Sequence, residues 1–198
     1  MSDAVALRHG AVVELRRYTL HPGGRDTLIE LFEREFVEPQ EAVGATLIGQ
    51  FRDRDDAERF VWLRGFADMA SRHRALEAFY GGAIWKAHRH VANATMMDSD
   101  DVLLLRPLGE GDGFDLDGLV RPPQGSGDDG AADIAAVILA LCEAPGDDIA
   151  GIVDAAFGDV FANAGATTLA RLATESAPNT FRALPVRDAT GAITRWIG

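Results

Sequence analysis

Residues 58–66 read ERFVWLRGF, and residues 79–107 continue as FYGGAIWKAHRHVANATMMDSDDVLLLRP. In the first run Phe60, Trp62, Arg64 and Phe66 fall on one side of a period-two pattern, and Val61, Leu63 and Gly65 on the other. That alternation belongs to a strand with two different faces, and β-branched and aromatic residues suit a pleated surface. Working backwards, Ala45 to Arg52 is a second strand-like run, joined to the first through the charged turn Asp53-Arg54-Asp55-Asp56, so the pair reads as a hairpin. Further upstream, Val12 to Leu20 alternates Val13 and Leu15 against Glu14, Arg16 and Tyr18. His21-Pro22-Gly23-Gly24 breaks the chain, after which Leu28, Ile29, Phe32 and Phe36 recur at helical spacing up to Pro39. Downstream, Met69, Leu76 and Phe79 make one helical stripe, Gly81-Gly82 interrupts it, Ile84 to Val91 resumes it, and Val102 to Leu105 is the closing strand. The order is βαββαβ.

These segments, with ELRRY at 14–18 and GQFRD at 49–53, closely resemble the NIPSNAP family over roughly residues 11 to 107. The resemblance implies ferredoxin-like βαββαβ units that pair into dimeric α/β barrels. It also implies a choice between two kinds of role. Barrels of this type include cofactor-independent enzymes of small-molecule metabolism, whereas NIPSNAP members are associated with protein–protein interaction and organelle roles. The chain lacks the mitochondrial-type extension of eukaryotic members, which counts against an organelle role.

Residues 109–132 concentrate Gly, Pro and Asp, which favours a linker. Beyond it, Ile134 to Leu141 is a continuous apolar run, and Ile149, Ile152, Val153, Ala156, Phe157, Val160 and Phe161 keep helical spacing. Gly165-Ala166-Thr167 repeats Gly44-Ala45-Thr46, and Arg195-Trp196 echoes Val61-Trp62. The expected architecture is therefore α+β: tandem ferredoxin-like βαββαβ units forming a dimeric α/β barrel, with the second unit truncated. Its parts are a NIPSNAP-like domain at 11–108, a linker at 109–132 and a second, incomplete ferredoxin-like domain at 133–198. Loss of a helix from the second copy would leave apolar sheet to be covered, by packing of the two copies face to face or by a second subunit, and a homodimer or higher homo-oligomer is expected.

Composition narrows the partners. Thirty-one Asp and Glu against 19 Lys and Arg give a net charge of −12, so nucleic acid and anionic membranes are not expected. Nowhere are there the roughly 20 consecutive apolar residues of a membrane span, and the first residues lack a secretory apolar run, so a cytoplasmic location is expected. The single cysteine, Cys142, excludes an internal disulfide and reads as a small packed residue.

Several chemistries lack their motifs: there is no Gly-rich phosphate loop, no GxSxG and no His-x3-His. On a helix His88 and His90 point about 200° apart and cannot chelate one metal, and the acidic turn Asp98, Asp100, Asp101 reads as solvated. No cofactor and no metal are expected. The polar strand faces remain. Glu14, Arg16 and Tyr18, with Trp62 and Arg64 on a neighbouring strand, are assigned to the barrel lumen as a pocket for a small anionic or carbonyl-bearing molecule. Trp85 on the following helix is added as a ligand contact. Tyr18 as hydrogen-bond donor and His88 as proton carrier are the catalytic candidates. The competing reading is structural: Glu14 with Arg16 or Arg64 forms a cross-strand salt-bridge ladder that holds no ligand.

Overall fold

The computed structural model describes residues 11–117, 137–143, 149–163, 165–187 and 192–197. Its elements run β1 (Val12–Leu20), α1 (Gly24–Glu35), α2 (Val37–Ala42), β2 (Thr46–Arg52), β3 (Arg59–Phe66), α3 (Met69–Gly81), α4 (Ala83–Thr95), β4 (Met96–Asp98), β5 (Val102–Pro107), β6 (Ile138–Glu143), α5 (Ile149–Asn163), β7 (Thr168–Thr174) and β8 (Ala192–Ile197). The helix expected to stop at Pro39 restarts instead, because Phe36 breaks α1 and Pro39 then falls in the first turn of α2, where its missing N–H leaves no bond unmade. Asp68 caps α3 by accepting from the Ser71 amide at 2.6 Å, and α3 ends at Gly81, where the glycine pair was expected to interrupt it.

All strands join one antiparallel sheet in the order β2-β3-β1-β5-β7-β8-β6, with β4 added on β1. The first four, β5-β1-β3-β2, have the ferredoxin-like order. The next three, β7-β8-β6, repeat the order β2-β3-β1 of the first unit. The repetition extends to detail. A bulge lies between Leu47 and Gly49 where β2 meets β3, and another between Thr168 and Ala170 where β7 meets β8. Both follow a glycine of positive φ, Gly44 at 97° and Gly165 at 73°. The tryptophan echo is one residue out of register: Trp196 pairs with Ala170, whereas the counterpart position, Gly49, pairs with Leu63 and not Trp62.

β5 and β7 join the two units through only three residue pairs, Leu105–Thr174, Arg106–Ala173 and Pro107–Leu172. Arg171 reinforces the junction, donating to Asp112 at 2.7 Å and to Asp154 of α5 at 2.9 Å, while its backbone amide meets Asp112 O at 2.8 Å. Within Gly109 to Asp117, the start of the segment read as a linker, Leu116 is buried and Phe114 packs against the core, while Gly109 to Gly111, Asp115 and Asp117 are exposed. Residues 118–132 of that segment, and the side chain of Cys142 in β6, lie outside what is described.

The sheet separates two cores. On one face α1, α3 and α4 cover Tyr18, Leu20, Phe60 and Trp62 together with Phe32, Phe36 and Phe79. On the other, Val13, Leu15, Val61, Leu63, Leu103 and Leu105 cluster with Ala170 and Leu172. Strands that are not neighbours share this second cluster, so the sheet curls around it as a half-barrel. On the curled face of the first unit Leu15, Leu63 and Leu105 are each 0% exposed, as is Leu172 of β7, which packs against them. Val160, placed on a packed stripe by the helix pattern, is exposed.

Candidate functional site

The two faces are the reverse of the sequence assignment. Val13, Leu15, Val61 and Leu63 fill the curled interior, and Glu14, Arg16, Tyr18, Trp62 and Arg64 lie beneath the helices. The lumen assignment rested on reading a polar strand face as the lining of a barrel's inner side, although burying charge between helix and sheet carries a penalty. Here the charges avoid that penalty by pairing with one another and stacking on rings.

Register brings them together. Arg16 faces Trp62 across β1 and β3, and Glu14 faces Arg64. Glu14 is the only carboxylate among the buried described residues, and it receives three guanidiniums. Arg16 Nη1 donates to Oε2 at 3.0 Å, Arg64 Nε to Oε2 at 2.7 Å, and Arg72 Nε from α3 to Oε1 at 2.6 Å. All four residues are at most 1% exposed. The salt-bridge ladder read from the sequence is present, but it does not balance: three cations share one anion. The planar cations stack instead, Arg16 and Arg64 lying 5.4 and 5.1 Å from the Trp62 ring and Arg64 5.8 Å from Tyr80.

Burial alone would raise the Glu14 carboxyl, yet the fields of Arg64, Arg16 and Arg72 outweigh it and hold the pKa down at about 2. Burial lowers Arg72, only partly offset by Glu14. Arg16 is raised: burial pulls it down, but Tyr18 and Glu14 overcome that. Burial raises the Tyr18 phenol, so it is a neutral donor at physiological pH, with Arg16 opposing the shift. A consequence is acid lability. Because the folded Glu14 pKa lies below its ordinary 4.5, its stabilisation is complete above about pH 4.5 and is lost as pH falls toward 2. The loss is on the order of 3 kcal/mol. Urea unfolding midpoints measured between pH 6 and pH 2 should fall within that window, and Glu14→Gln should flatten the fall.

Beside the cluster is a cavity of about 30 Å³, room for a water-sized guest or the head of a small anion. Phe32, Phe36, Phe79 and Trp85 make its apolar wall, and Tyr18, Gln40, Trp62 and Tyr80 supply its polar edges. The guanidiniums orient two of these edges. Arg16 Nε donates to the Tyr18 oxygen at 2.9 Å, which leaves the phenol proton to point elsewhere. Arg64 Nη1 donates to Gln40 Oε1 at 2.7 Å, which turns the amide NH2 the other way. Trp62 Nε1, also a donor, is buried with no hydrogen-bond partner, as is Arg72 Nη2.

The structure thus brings Tyr18, Trp62 and Trp85 to one cavity, with Glu14, Arg16 and Arg64 in the charged layer next to it. His88 stands outside the lining. Its Nε2 is 3.4 Å from Glu35 Oε2 on the partly exposed flank of α4, and its ring meets Phe36 at 6.3 Å. Sequence reasoning missed Arg72, Gln40, Tyr80 and Asn179. Arg72 was within reach, since it falls three residues after Met69 and four before Leu76 on the stripe already recognised. In the acidic turn, Asp101 is engaged by Arg17 at 2.9 Å and Arg187 at 3.3 Å. Among the described residues no group of three His, Cys, Asp or Glu is placed to hold a metal, and no helix is long and apolar enough to cross a membrane.

A ferredoxin-like βαββαβ unit with helices on one sheet face and an apolar curl on the other defines the class of α+β half-barrel proteins. Within that class, residues 13–109 match the NIPSNAP family, and this part of the chain is a NIPSNAP domain. Among solved structures it is similar to a NIPSNAP-like domain protein from Burkholderia xenovorans, with 25% identity, coverage of 59% of this chain and 93% of that one, and a TM-score of 0.47. It is also similar to a NIPSNAP family protein of unknown function from Agrobacterium tumefaciens, at 17% identity, covering 52% and 94% with TM-score 0.46. A third similar structure is a putative antibiotic biosynthesis monooxygenase from Chloroflexus aurantiacus, at 16% identity, covering 50% and 93% with TM-score 0.40. No curated protein matches the chain.

Proposed function

We propose that this protein binds a small anionic or carbonyl-bearing molecule in the cavity between the sheet and helices α1, α3 and α4. The observation that carries the reading is Trp62, which lines a cavity backed by a surplus of two positive charges and whose buried indole N–H has no hydrogen-bond partner. Leaving such a donor unmet costs about 1–3 kcal/mol, and an acceptor in the cavity recovers it. Tyr18 and Gln40 reinforce the preference, because their arginine partners already occupy their oxygens. The overall charge of −12 opposes anions at long range, but salt screens that field within about 8 Å, whereas the buried guanidiniums act at contact. The aromatic wall suits an apolar or planar body behind the acceptor group.

The test is a titration of ¹⁵N-labelled protein with acetate, benzoate and acetamide at constant ionic strength, following the Trp62 indole resonance assigned by its absence in Trp62→Phe. Both carboxylates are expected to move that resonance, acetamide far less. Trp62→Phe keeps the packing and removes the donor, so it should melt within about 1 kcal/mol of the wild type yet bind carboxylate roughly 10- to 100-fold more weakly. An indole resonance indifferent to every probe would refute the proposal and leave the cluster a structural ladder.

A further inference from the structure

We infer that Asn179, delivered by the second half of the chain, is the specificity-determining residue of this pocket: its neutral side chain keeps the site electropositive and so selects charged anions over neutral carbonyl compounds. The inference rests on the anion-pocket reading above.

The segment between β7 and β8 crosses back over the first unit. Glu175 N donates to Leu104 O and Arg187 N to Val102 O, both at 2.8 Å, so the described part of this crossing is held to β5 at each end. Between these anchors Phe181 stacks on Tyr80, with ring centroids 6.0 Å apart and planes 25° apart, and Tyr80 lines the cavity. Leu184 and Val186 pack on the core cluster that includes Val12 and Leu76. Asn179 is fixed by three bonds. Its Oδ1 accepts from Arg72 Nη1 at 2.9 Å and from the Phe181 amide at 3.1 Å, and its Nδ2 donates to Leu184 O at 2.9 Å. The amide oxygen is therefore held against Arg72.

At that place aspartate would accept the same two bonds and strengthen the one to Arg72, since charge-assisted bonds are about twice as strong as neutral ones. It would also cancel half of the surplus positive charge. The residue present makes the contact without the charge, so Arg72 shares Glu14 with two other guanidiniums and keeps Nη2 without a partner. A neutral carbonyl compound gains only hydrogen bonds from such a site, whereas an anion also gains the field of the surplus positive charge.

The experiment uses the full chain and acetate as probe, with acetamide as neutral control and the Trp62 indole resonance as readout. Asn179→Asp is expected to weaken acetate binding by about tenfold, with acetamide binding unchanged, because it adds a negative charge in direct contact with Arg72 at the partly buried edge of the cluster, where water screens it only in part. Asn179→Ala leaves the surplus charge and is expected to bind acetate within about threefold of the wild type while melting lower. Acetate bound by Asn179→Asp as tightly as by the wild type overturns the inference. So does an Asn179→Ala variant that loses tenfold or more, since Asn179 would then only position Arg72; this second variant decides the matter even if the first does not fold. A wild type that ignores acetate and benzoate removes the pocket reading and this inference together, whereas one that binds while Asn179→Asp is indifferent removes only the inference.

Discussion

Glu14→Gln is expected to lower the melting temperature by on the order of 10 °C, more than any substitution of a single arginine around it. The carboxylate is the one negative charge among three buried guanidiniums, and removing one side of a buried ionic network costs about 3–5 kcal/mol. For a chain of this length each kcal/mol corresponds to roughly 2–4 °C. Glutamine adds a further conflict, because its NH2 must face guanidinium donors that previously met an acceptor. Arg64→Met is the control. Glu14 keeps Arg16 and Arg72, the methionine stem can pack among the Trp62, Phe66 and Tyr80 rings, and the main loss is Gln40 Oε1 left without its donor, about 1–3 kcal/mol. Calorimetry of both variants tests the asymmetry. Equal losses would mean that the charges are solvated and that Glu14 does not hold the cluster.

Trp62→Ala should lose about 3–5 kcal/mol, seen as a lower urea midpoint at unchanged slope. Trp62 is 2% exposed and packs against Phe32 at 4.7 Å and Tyr18 at 5.9 Å, and both Arg16 and Arg64 stack on it. Its removal withdraws the surface on which two buried cations lie, so the loss should reach the upper part of that range. Trp62→Phe preserves most of the ring surface. The two variants together separate packing from hydrogen bonding: alanine takes both, phenylalanine only the N–H.

Much of this was legible in the sequence, for a physical reason. Period-two alternation fixes which residues share a strand face, so Glu14, Arg16 and Tyr18 were grouped correctly, as were Trp62 and Arg64. Which face meets the helices is a different question, and alternation does not answer it when both sides of a strand are buried. Val13 and Leu15 look like a helix-facing set, and Glu14 and Arg16 do not. What decides the matter is Arg72, whose guanidinium arrives from α3 and gives the carboxylate a partner on the helix side. Glycines 44 and 165 made the duplication readable because a positive φ restricts the residue at that turn, and the matching bulges that follow them emerge only in the structure. Asn179 carried no such mark. Its partner is 107 residues away, and nothing in the local pattern around Pro178 or Thr180 signals a contact with an arginine in another unit.

The spacing of the partners of Glu14 also fixes an order of events during synthesis. Arg16 is two residues away, but Arg64 and Arg72 follow 50 and 58 residues later and the Arg72–Asn179 bond closes a separation of 107. A nascent chain that has emerged only as far as α2 holds β1 with its carboxylate and one guanidinium, and that strand can be dehydrated on its polar face only after α3 has emerged. Until then water must remain on residues that end up among the driest in the molecule, and the closing of each long loop waits on the last partner to be made.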